Sequence, residues 1–431
     1  MRDILVIAIV MAGCLAALRR PWIGIMLWTW LSIMNPHRYT WSLAYSAPLA
    51  AIAAASVMLG LLMTKDRESP FKASPVKWMF LFMIWMTISW LAGLDVSGDY
   101  EQWKKVMKVD VMIIVSLMLL HNKKHIFSLV WVCALSIALL GVKGGLFTFQ
   151  GGGGERVWGP PGSFIEDNNA FAVAVIMTIP LLRFLQLQLV NKWARFCMTI
   201  VMLLCAVSGL GSQSRGALLA ISAMAIYFWW HGKNKLQMGL LLFVISALLI
   251  AFMPDSWSLR MATITAYEDD GSAMGRISAW WNSWNLAFHY PLGVGFNSAT
   301  PALFARFSPY PDLIQGAHSI YFLALGNHGF IGLALFLGIW ITTWRSAGWL
   351  RNQKNLVPAA KWCGELGTMC QVSLVAYLVG GAFLNLTYFD LPYNIMVMVV
   401  LTRVWVDKQC WKTEHEYPLG WKTIPGLAST P

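Results

Sequence analysis

Charged residues are scarce in this chain, and their scarcity sets the class of protein. Asp, Glu, Lys and Arg make up 12% of its 431 residues, whereas hydrophobic residues make up 58% and include 24 tryptophans. Soluble globular domains carry about twice that share of charge. The composition therefore excludes a soluble protein and predicts an integral membrane protein.

Closely spaced cysteine pairs are also missing. The seven cysteines lie in or beside apolar runs or in the C-terminal tail, and none forms a C-x-x-C pair. Such pairs are the usual sequence mark of zinc and redox sites. We therefore interpret the cysteines as structural, with neither a disulfide framework nor a metal site implied.

Long apolar runs recur along the whole chain, for example residues 237–253 (QMGLLLFVISALLIAFM). A helix needs about 20 such residues to cross a bilayer, so we expect an all-α polytopic membrane protein. The first run, residues 4–18, is followed by RRPW rather than by a small-residue cleavage site, and we interpret it as a retained span. Residues 4–18 and 22–34 count as one crossing or two, which gives 12 or 13 transmembrane helices. We expect 12.

Short basic connections predict the orientation, because lysine and arginine favour the cytoplasmic side. The predicted cytoplasmic segments are residues 64–77, 121–125, 191–195, 231–235, 345–361 and the tail from Arg403. The segments then left for the periplasmic face are residues 95–108, 148–168, 210–215, 253–317 and 387–394. We expect one membrane domain over residues 1–431, in which residues 254–317 form a large periplasmic loop with short interfacial helices.

Most of the net charge of +12 lies in the cytoplasmic segments and indicates no nucleic-acid partner. The outer segments nevertheless carry Lys104, Lys105, Lys108, Arg156, Arg215, Arg260, Arg276 and Arg306. Arg215 is the most informative, since in GLGSQSRGALLA it opens an apolar helix directly after a turn. A guanidinium group binds phosphate oxygens bidentately, and a helix N-terminus offers N–H groups to the same anion. Snorkelling toward lipid headgroups is the alternative explanation for this arginine.

A second arginine opens a helix in the large loop. In AMGRISAWWNSWNLAFHYPLGVGF, residues 273–296, the tryptophans 280, 281 and 284 are spaced as in an amphipathic interfacial helix. An aromatic belt explains these tryptophans. It does not explain Arg276 at the N-terminal end of that helix, which we interpret as a second candidate phosphate ligand.

Two histidines follow the large loop, in the stretch GAHSIYFLALGNHGFIG. Counted from His318, the pattern is H-S-x9-G-x-x-G, which ends in Gly329 and Gly332. Ten residues of helix turn through about 1000°, so His318 and His328 face different directions. His318 lies at the water boundary and is the functional candidate. For His328 we expect a neutral hydrogen-bonded or packing role.

Together these motifs resemble the O-antigen ligase superfamily, which includes O-antigen polymerases and protein O-oligosaccharyltransferases. The resemblance rests on the histidine pattern, the arginine of SQSRGALLA and the stretch GRISAWW…PLGVGF. The stretches RVWGPPGSFIEDNNAFA and LTYFDLPYN resemble the branch of O-glycosylation ligases associated with exosortase systems. The similarity covers about residues 150–405 and is weaker in the first third of the chain.

The resemblance implies transfer of a glycan from undecaprenyl pyrophosphate to a lipid A-core sugar hydroxyl at the periplasmic face of the bacterial inner membrane. His318 matches the family histidine proposed as general base, and Arg215 and Arg276 match arginines proposed to hold the pyrophosphate. Arginines suit this task because negative charge develops on the departing pyrophosphate. Besides the donor and the acceptor, membrane lipid is the only partner implied, and no cofactor is.

A metal ion is not needed by this chemistry. Among the outer segments, only Glu166-Asp167 and the stretch EDDG at residues 268–271 are acidic clusters, and we interpret the latter as a solvated loop. Asp390, in TYFDLPYN, is a carboxylate that could orient a histidine or an arginine. The alternatives that stay open are a polymerase, a protein O-oligosaccharyltransferase and, in a different class, a transporter of anionic lipids.

Overall fold

The computed structural model describes residues 2–231, 271–353 and 360–413 together with residues 235, 236, 239, 240 and 244, and this part of the chain is built from helices and connecting loops without a strand. The first ten helices are α1 (Arg2–Arg19), α2 (Pro21–Met34), α3 (Leu43–Ser46), α4 (Leu49–Met63), α5 (Ser74–Leu91), α6 (Val96–Leu119), α7 (Lys123–Gln150), α8 (Asn168–Gln188), α9 (Lys192–Gly211) and α10 (Arg215–His231). The helices after the gap are α11 (Gly271–His289), α12 (Pro301–Phe307), α13 (Ile320–Gln353), α14 (Lys361–Gly380) and α15 (Asp390–Asp407).

Six of the described helical segments are long and apolar enough to cross a membrane: α5, α7, α8, α9, α13 and residues 361–383, which include α14. Three more apolar helices are shorter, namely α2, α4 and the first sixteen residues of α10, Arg215–Trp230. The chain is therefore a multi-pass helical membrane protein. The expected count of 12 spans is not confirmed, and most of the apolar run 237–253 lies outside the described residues.

The two N-terminal apolar runs form two separate helices, α1 and α2, divided at Arg20. They form an antiparallel pair, in which a Cβ placed on Gly24 would lie 2.7 Å from Cβ of Ala17 and one on Gly13 would lie 2.8 Å from Leu27. Whether the pair counts as one crossing or two stays a prediction, because neither helix is among the six segments long and apolar enough to cross a membrane. Residues 96–108, which we expected in a connection, form the first half of α6.

The segments assigned to one face by their charge do lie together in the fold. Hydrogen bonds join distant outer segments in three places: Leu94 N–H to Val294 O at 3.1 Å, Asn168 Nδ2 to Ser212 O at 2.7 Å, and Thr387 Oγ1 to Ile320 O at 3.1 Å. Contacts also join the basic segments at the opposite end: Glu68 N–H to Met118 O at 3.0 Å, the ion pair of Glu68 with Lys408, and Gln188 Nε2 to Glu365 Oε2 at 2.6 Å. The outer segments therefore contact one another, and so do the basic segments, as the charge pattern predicted. That the outer segments face the periplasm stays a prediction.

Helices α8 and α15 lie at the centre of the bundle. Most side chains of α8 are buried, and so are nearly all of α15 between Asp390 and Thr402. Helix α8 packs against α7, α9 and α14, whereas α13 packs against α5, α11 and α14. Helix α10 packs against α8 and α14, and α11 packs against α13.

Candidate active site

Arg215 is the first residue of α10 and follows a tight turn. Helix α9 ends at Gly211, and Gln213 has the left-handed φ of 55°, which reverses the chain. The Ser214 hydroxyl then accepts a hydrogen bond from Ala217 N–H at 3.2 Å and caps α10. A capped N-terminus carries partial positive charge and favours anions. The turn therefore places a partly buried guanidinium group at an end of α10 that suits a phosphate.

Arg276 lies in the second turn of α11, as the sequence predicted for an arginine near the start of a helix. Its neighbour Gly275 is in close contact with the segment that leads to His318, because a Cβ on Gly275 would lie 2.1 Å from Gln315 Oε1. The absence of a side chain at Gly275 thus lets α11 approach residues 315–318. A helix is present where we expected an interfacial one, and its place relative to a membrane surface stays a prediction.

His318 occupies a constrained position just before α13. Its φ is 41°, in the left-handed region. Residues other than glycine seldom adopt this conformation, and those that do are concentrated at functional sites. Ser319, the next residue, is buried and accepts a hydrogen bond from Phe322 N–H at 3.5 Å, so it caps α13. The H-S pair therefore combines a reversal of the chain with a helix cap. Neither ring nitrogen of His318 is hydrogen-bonded to a residue in the described ranges, and the ring is only partly buried.

Trp280 connects the second arginine to the histidine. It lies one turn after Arg276, and its indole N–H donates a hydrogen bond to Ala317 O at 2.8 Å. Its ring stacks on Phe322 of α13 with 5.0 Å between ring centroids and 8° between planes. Arg276 and His318 are close enough for their charges to interact. The large loop thus brings these two candidate residues to one place.

The start of α10 joins the same place through the 3-10 turn Gly381–Phe383. A Cβ on Gly216, which follows Arg215, would lie 3.6 Å from Gly380 O and 3.7 Å from Phe383 Cβ. Ile320 packs against Gly381 on the other side, 2.9 Å from its Cβ position. The segments that carry Arg215, Arg276 and His318 therefore all meet around this turn.

The electrostatics keep His318 in its neutral form. Burial lowers the pKa of its imidazole below the usual 6.5, the Arg276 guanidinium lowers it further, and Asp167 opposes both effects. Asp167 is fixed in place because it caps α8, accepting hydrogen bonds from the N–H groups of Asn169 at 2.9 Å and Ala170 at 3.2 Å. A neutral imidazole at pH 7 can accept a proton, which is what a general base requires.

His328 has a different environment and is completely buried. Its Nε2 is hydrogen-bonded to Tyr388 Oη at 2.7 Å and its Nδ1 to Ser89 Oγ at 3.1 Å. The next residue, Gly329, has φ 67° and ψ −173°, which interrupts the helix. The sequence prediction of a hydrogen-bonded packing role agrees with these contacts.

The interruption at Gly329 frees carbonyl groups that hold the loop over the helix. Asn327 O accepts hydrogen bonds from Val294 N–H at 2.9 Å, from Gly295 N–H at 3.2 Å and from Ser89 Oγ at 2.9 Å. Trp85 Nε1 donates to the carbonyl of His328 at 2.8 Å. The glycine of the histidine motif therefore fixes residues 290–298 against α13, and this keeps the end of α11 in place.

Two expectations about acidic residues have different outcomes. We expected Asp390 to orient a histidine or an arginine. Instead it accepts a hydrogen bond from Ser32 Oγ and interacts electrostatically with Lys105. Residues 268–270 of the EDDG stretch lie outside the described residues. In the described ranges no three side chains of His, Cys, Asp or Glu are grouped so as to hold a metal ion, and metal independence stays a prediction.

Two residues near His318 were not predicted from the sequence. Trp280 was interpreted only as part of an aromatic belt, although Trp281 and Trp284 are the more exposed of the three. Asp167 was noted for its charge alone. The run EDNN before an apolar helix is a capping signal that could have placed Asp167 at the start of α8.

The fold and this arrangement define a class of protein, namely a multi-pass membrane protein in which the segments that carry two arginines and a histidine meet around one turn. Residues 200–337 of the chain match the sequence family described as O-antigen ligase. This match supports the resemblance of the motifs to the O-antigen ligase superfamily. Arg215, Arg276 and His318 all lie in the matched range. Residues 1–190 match a family of unknown function. No curated protein matches the chain in sequence.

Proposed function

We propose that this protein is an O-antigen ligase that transfers a glycan from undecaprenyl pyrophosphate to a sugar hydroxyl of lipid A-core at the periplasmic face. The observation that carries the proposal is the meeting of the segments of Arg215, Arg276 and His318 around Gly381–Phe383. The match of residues 200–337 to O-antigen ligases supports the same reaction type.

In the proposed reaction, the acceptor hydroxyl oxygen attacks the anomeric carbon of the donor glycan. His318 takes the hydroxyl proton as the new glycosidic bond forms. The bond between the anomeric carbon and the pyrophosphate oxygen breaks, and its electron pair leaves with undecaprenyl pyrophosphate. Arg215 and Arg276 stabilise the charge that develops on that leaving group, aided by the N-terminus of α10.

The arrangement argues against the transporter alternative. A carrier of anionic lipids needs charged residues near mid-bilayer that are exposed to each side in turn. Arg215 is instead the first residue of its helix, and Arg276 lies in the second turn of α11 and near His318. Both arginines thus belong to one end of the bundle, as a fixed catalytic site requires.

Deletion of the gene in its host tests the proposal and separates it from the polymerase alternative. A ligase is indicated if long lipopolysaccharide is lost while full-length lipid-linked polymer accumulates. Loss of polymer length itself indicates a polymerase, and a glycosylated protein that loses its glycan indicates an O-oligosaccharyltransferase. Complementation with the wild-type gene but not with His318→Ala should restore the envelope. An unchanged envelope glycan profile in the deletion strain would refute all three.

A further inference from the structure

Three cationic side chains near the outer face are held against aromatic rings. The distances from cation to ring centroid are 5.1 Å for Arg38 over Tyr45, 4.1 Å for Lys105 over Phe164 and 5.1 Å for Lys143 over Tyr39. Such contacts are worth about 0.5–1 kcal/mol each at exposed sites. They hold the charged groups without using their N–H donors. We call Arg38, Lys105 and Lys143 the cation cluster.

Two of the three cations, Arg38 and Lys105, lie against one loop, and Lys143 lies over the ring of Tyr39, the residue after Arg38. The Arg38 guanidinium is in contact with Gly162, whose Cβ position is 3.3 Å from Nη2. Phe164, which lies under Lys105, is two residues further along this loop. Arg38 and Lys105 are close enough for their charges to interact. Because both groups are cationic, they repel each other. A bound anion would offset the free-energy cost of that repulsion.

Protein carboxylates do not neutralise the cluster directly. Within the described residues, no carboxylate oxygen lies within 4 Å of the charged nitrogens of the three side chains, and these nitrogens make no protein hydrogen bond. The carboxylates that interact with Lys105 at longer range are Asp390 and Glu166. Each is already hydrogen-bonded: Asp390 to Ser32 Oγ, and Glu166 Oε2 to Gly162 N–H at 2.8 Å. The cluster therefore offers fixed positive charge and unused donors.

The cation cluster adjoins the candidate active site. Phe164, the ring under Lys105, lies four residues before Asn168, whose Nδ2 donates to Ser212 O at 2.7 Å in the turn that precedes Arg215. In the same loop, Glu166 interacts electrostatically with Lys105, and the next residue, Asp167, with His318. The cluster comes from residues 1–190, outside the range that matches O-antigen ligases. It shares no residue with the pair of arginines assigned to the donor pyrophosphate. A substrate at His318 would thus have a second anion site within its surroundings.

We propose that the cation cluster binds a phosphate or carboxylate group on the acceptor and so positions the acceptor hydroxyl near His318. This inference rests on the proposed function, since it assigns the second substrate of the same site. The acceptor is the better occupant because Arg215 and Arg276 already match the two phosphates of the donor. Phosphate on the acceptor and phosphate in a lipid headgroup share the same chemistry, and the experiment distinguishes them.

The test uses the full-length protein in vesicles of zwitterionic phospholipid, with a phosphorylated acceptor and the same acceptor after enzymatic dephosphorylation. Lys105→Ala and Arg38→Ala should each raise KM for the phosphorylated acceptor about tenfold to a hundredfold, the value of one charged hydrogen bond. The turnover number and KM for the donor should not change. Lys105→Arg should restore most of the affinity. Lys104→Ala is the matched control, because this neighbouring lysine is paired with Glu101 at 3.0 Å.

The dephosphorylated acceptor decides what the cluster recognises. The inference holds if wild type and Lys105→Ala use this acceptor equally well. Without its phosphate, the acceptor has no group for Lys105 to bind in either protein. It is overturned if Lys105→Ala impairs both acceptors to the same degree. It is also overturned if the difference in KM between wild type and Lys105→Ala depends on phosphatidylglycerol in the vesicles and not on the phosphate of the acceptor. The occupant of the cluster is then bulk lipid. Absence of transfer by the wild-type protein would refute the proposed function itself, whereas normal transfer with an unchanged KM in Lys105→Ala refutes only this inference.

Discussion

Replacing Trp280 by phenylalanine tests how the large loop positions the histidine. Phenylalanine keeps an aromatic ring against Phe322 but removes the indole N–H that donates to Ala317 O at 2.8 Å. Ala317 is 4% exposed, so its carbonyl would lose its partner in a nearly dry environment. An unsatisfied buried acceptor costs about 1–3 kcal/mol. The segment around Ala317 can avoid this cost by shifting so that water reaches its carbonyl. Because His318 follows Ala317 directly, we expect such a shift to displace the imidazole.

If the whole cost is expressed in the transition state, the turnover number of Trp280→Phe falls about fivefold to 150-fold. The assay is glycan transfer by purified protein at saturating donor and acceptor, together with its thermal unfolding midpoint. Trp284→Phe is the matched control, because Trp284 lies one turn further along α11 and is 43% exposed. A wild-type turnover number in Trp280→Phe, or an equal loss in Trp284→Phe, would refute the positioning role.

The pH dependence, the kink and the metal requirement give three further predictions. Burial and Arg276 lower the pKa of His318, so turnover should fall only as the pH drops below 6.5. Asp167→Asn removes the carboxylate that raises this pKa. The acidic limb of the pH–turnover profile should therefore move to still lower pH in this variant. A limb unmoved by this variant would contradict the electrostatic assignment. Gly329→Ala should lower stability by about 1–3 kcal/mol, because φ is 67° and the new Cβ would lie 2.9 Å from Pro291 O; Gly271→Ala, which meets no atom within 4 Å, is its control in thermal unfolding. Purified protein should transfer glycan in excess chelator, and activity lost there but restored by magnesium or manganese would disprove metal independence.

Much of the architecture follows from the sequence because membrane helices have simple requirements. Continuous apolar runs predicted α5, α7, α8 and α9, and the basic connections predicted which termini meet at each end of the bundle. The separation of α1 from α2 was not decided by hydropathy, since both are short. It depends on how Gly13 and Gly24 let the two helices pack. The interruption at Gly329 likewise depends on contacts with a loop that comes earlier in the chain, residues 290–298.

The candidate site was predictable as a set of residue types and less so as a geometry. Arg215, Arg276 and His318 stood out because they lie beside turns and because the motifs around them resemble a family. Trp280 could not be separated from its neighbours by spacing, since only the fold shows which tryptophan reaches Ala317. In the cation cluster, Lys105 was noticed as a basic residue on the outer side. Arg38 and Lys143 were not, because they join it only through the packing of α2, α6 and α7.

The most direct test of the central claim is the rate of glycan transfer from undecaprenyl pyrophosphate by purified His318→Ala. We expect a loss of about 10²- to 10⁴-fold in turnover with donor binding nearly intact, because a general base acts in the transition state. Arg215→Lys and Arg276→Lys should lose donor affinity as well as rate, since lysine cannot form a bidentate contact with phosphate. His328→Ala should fold less well and keep residual turnover. Near-normal transfer by His318→Ala, with a folded but inactive His328→Ala, would contradict the assignment of His318 as the base.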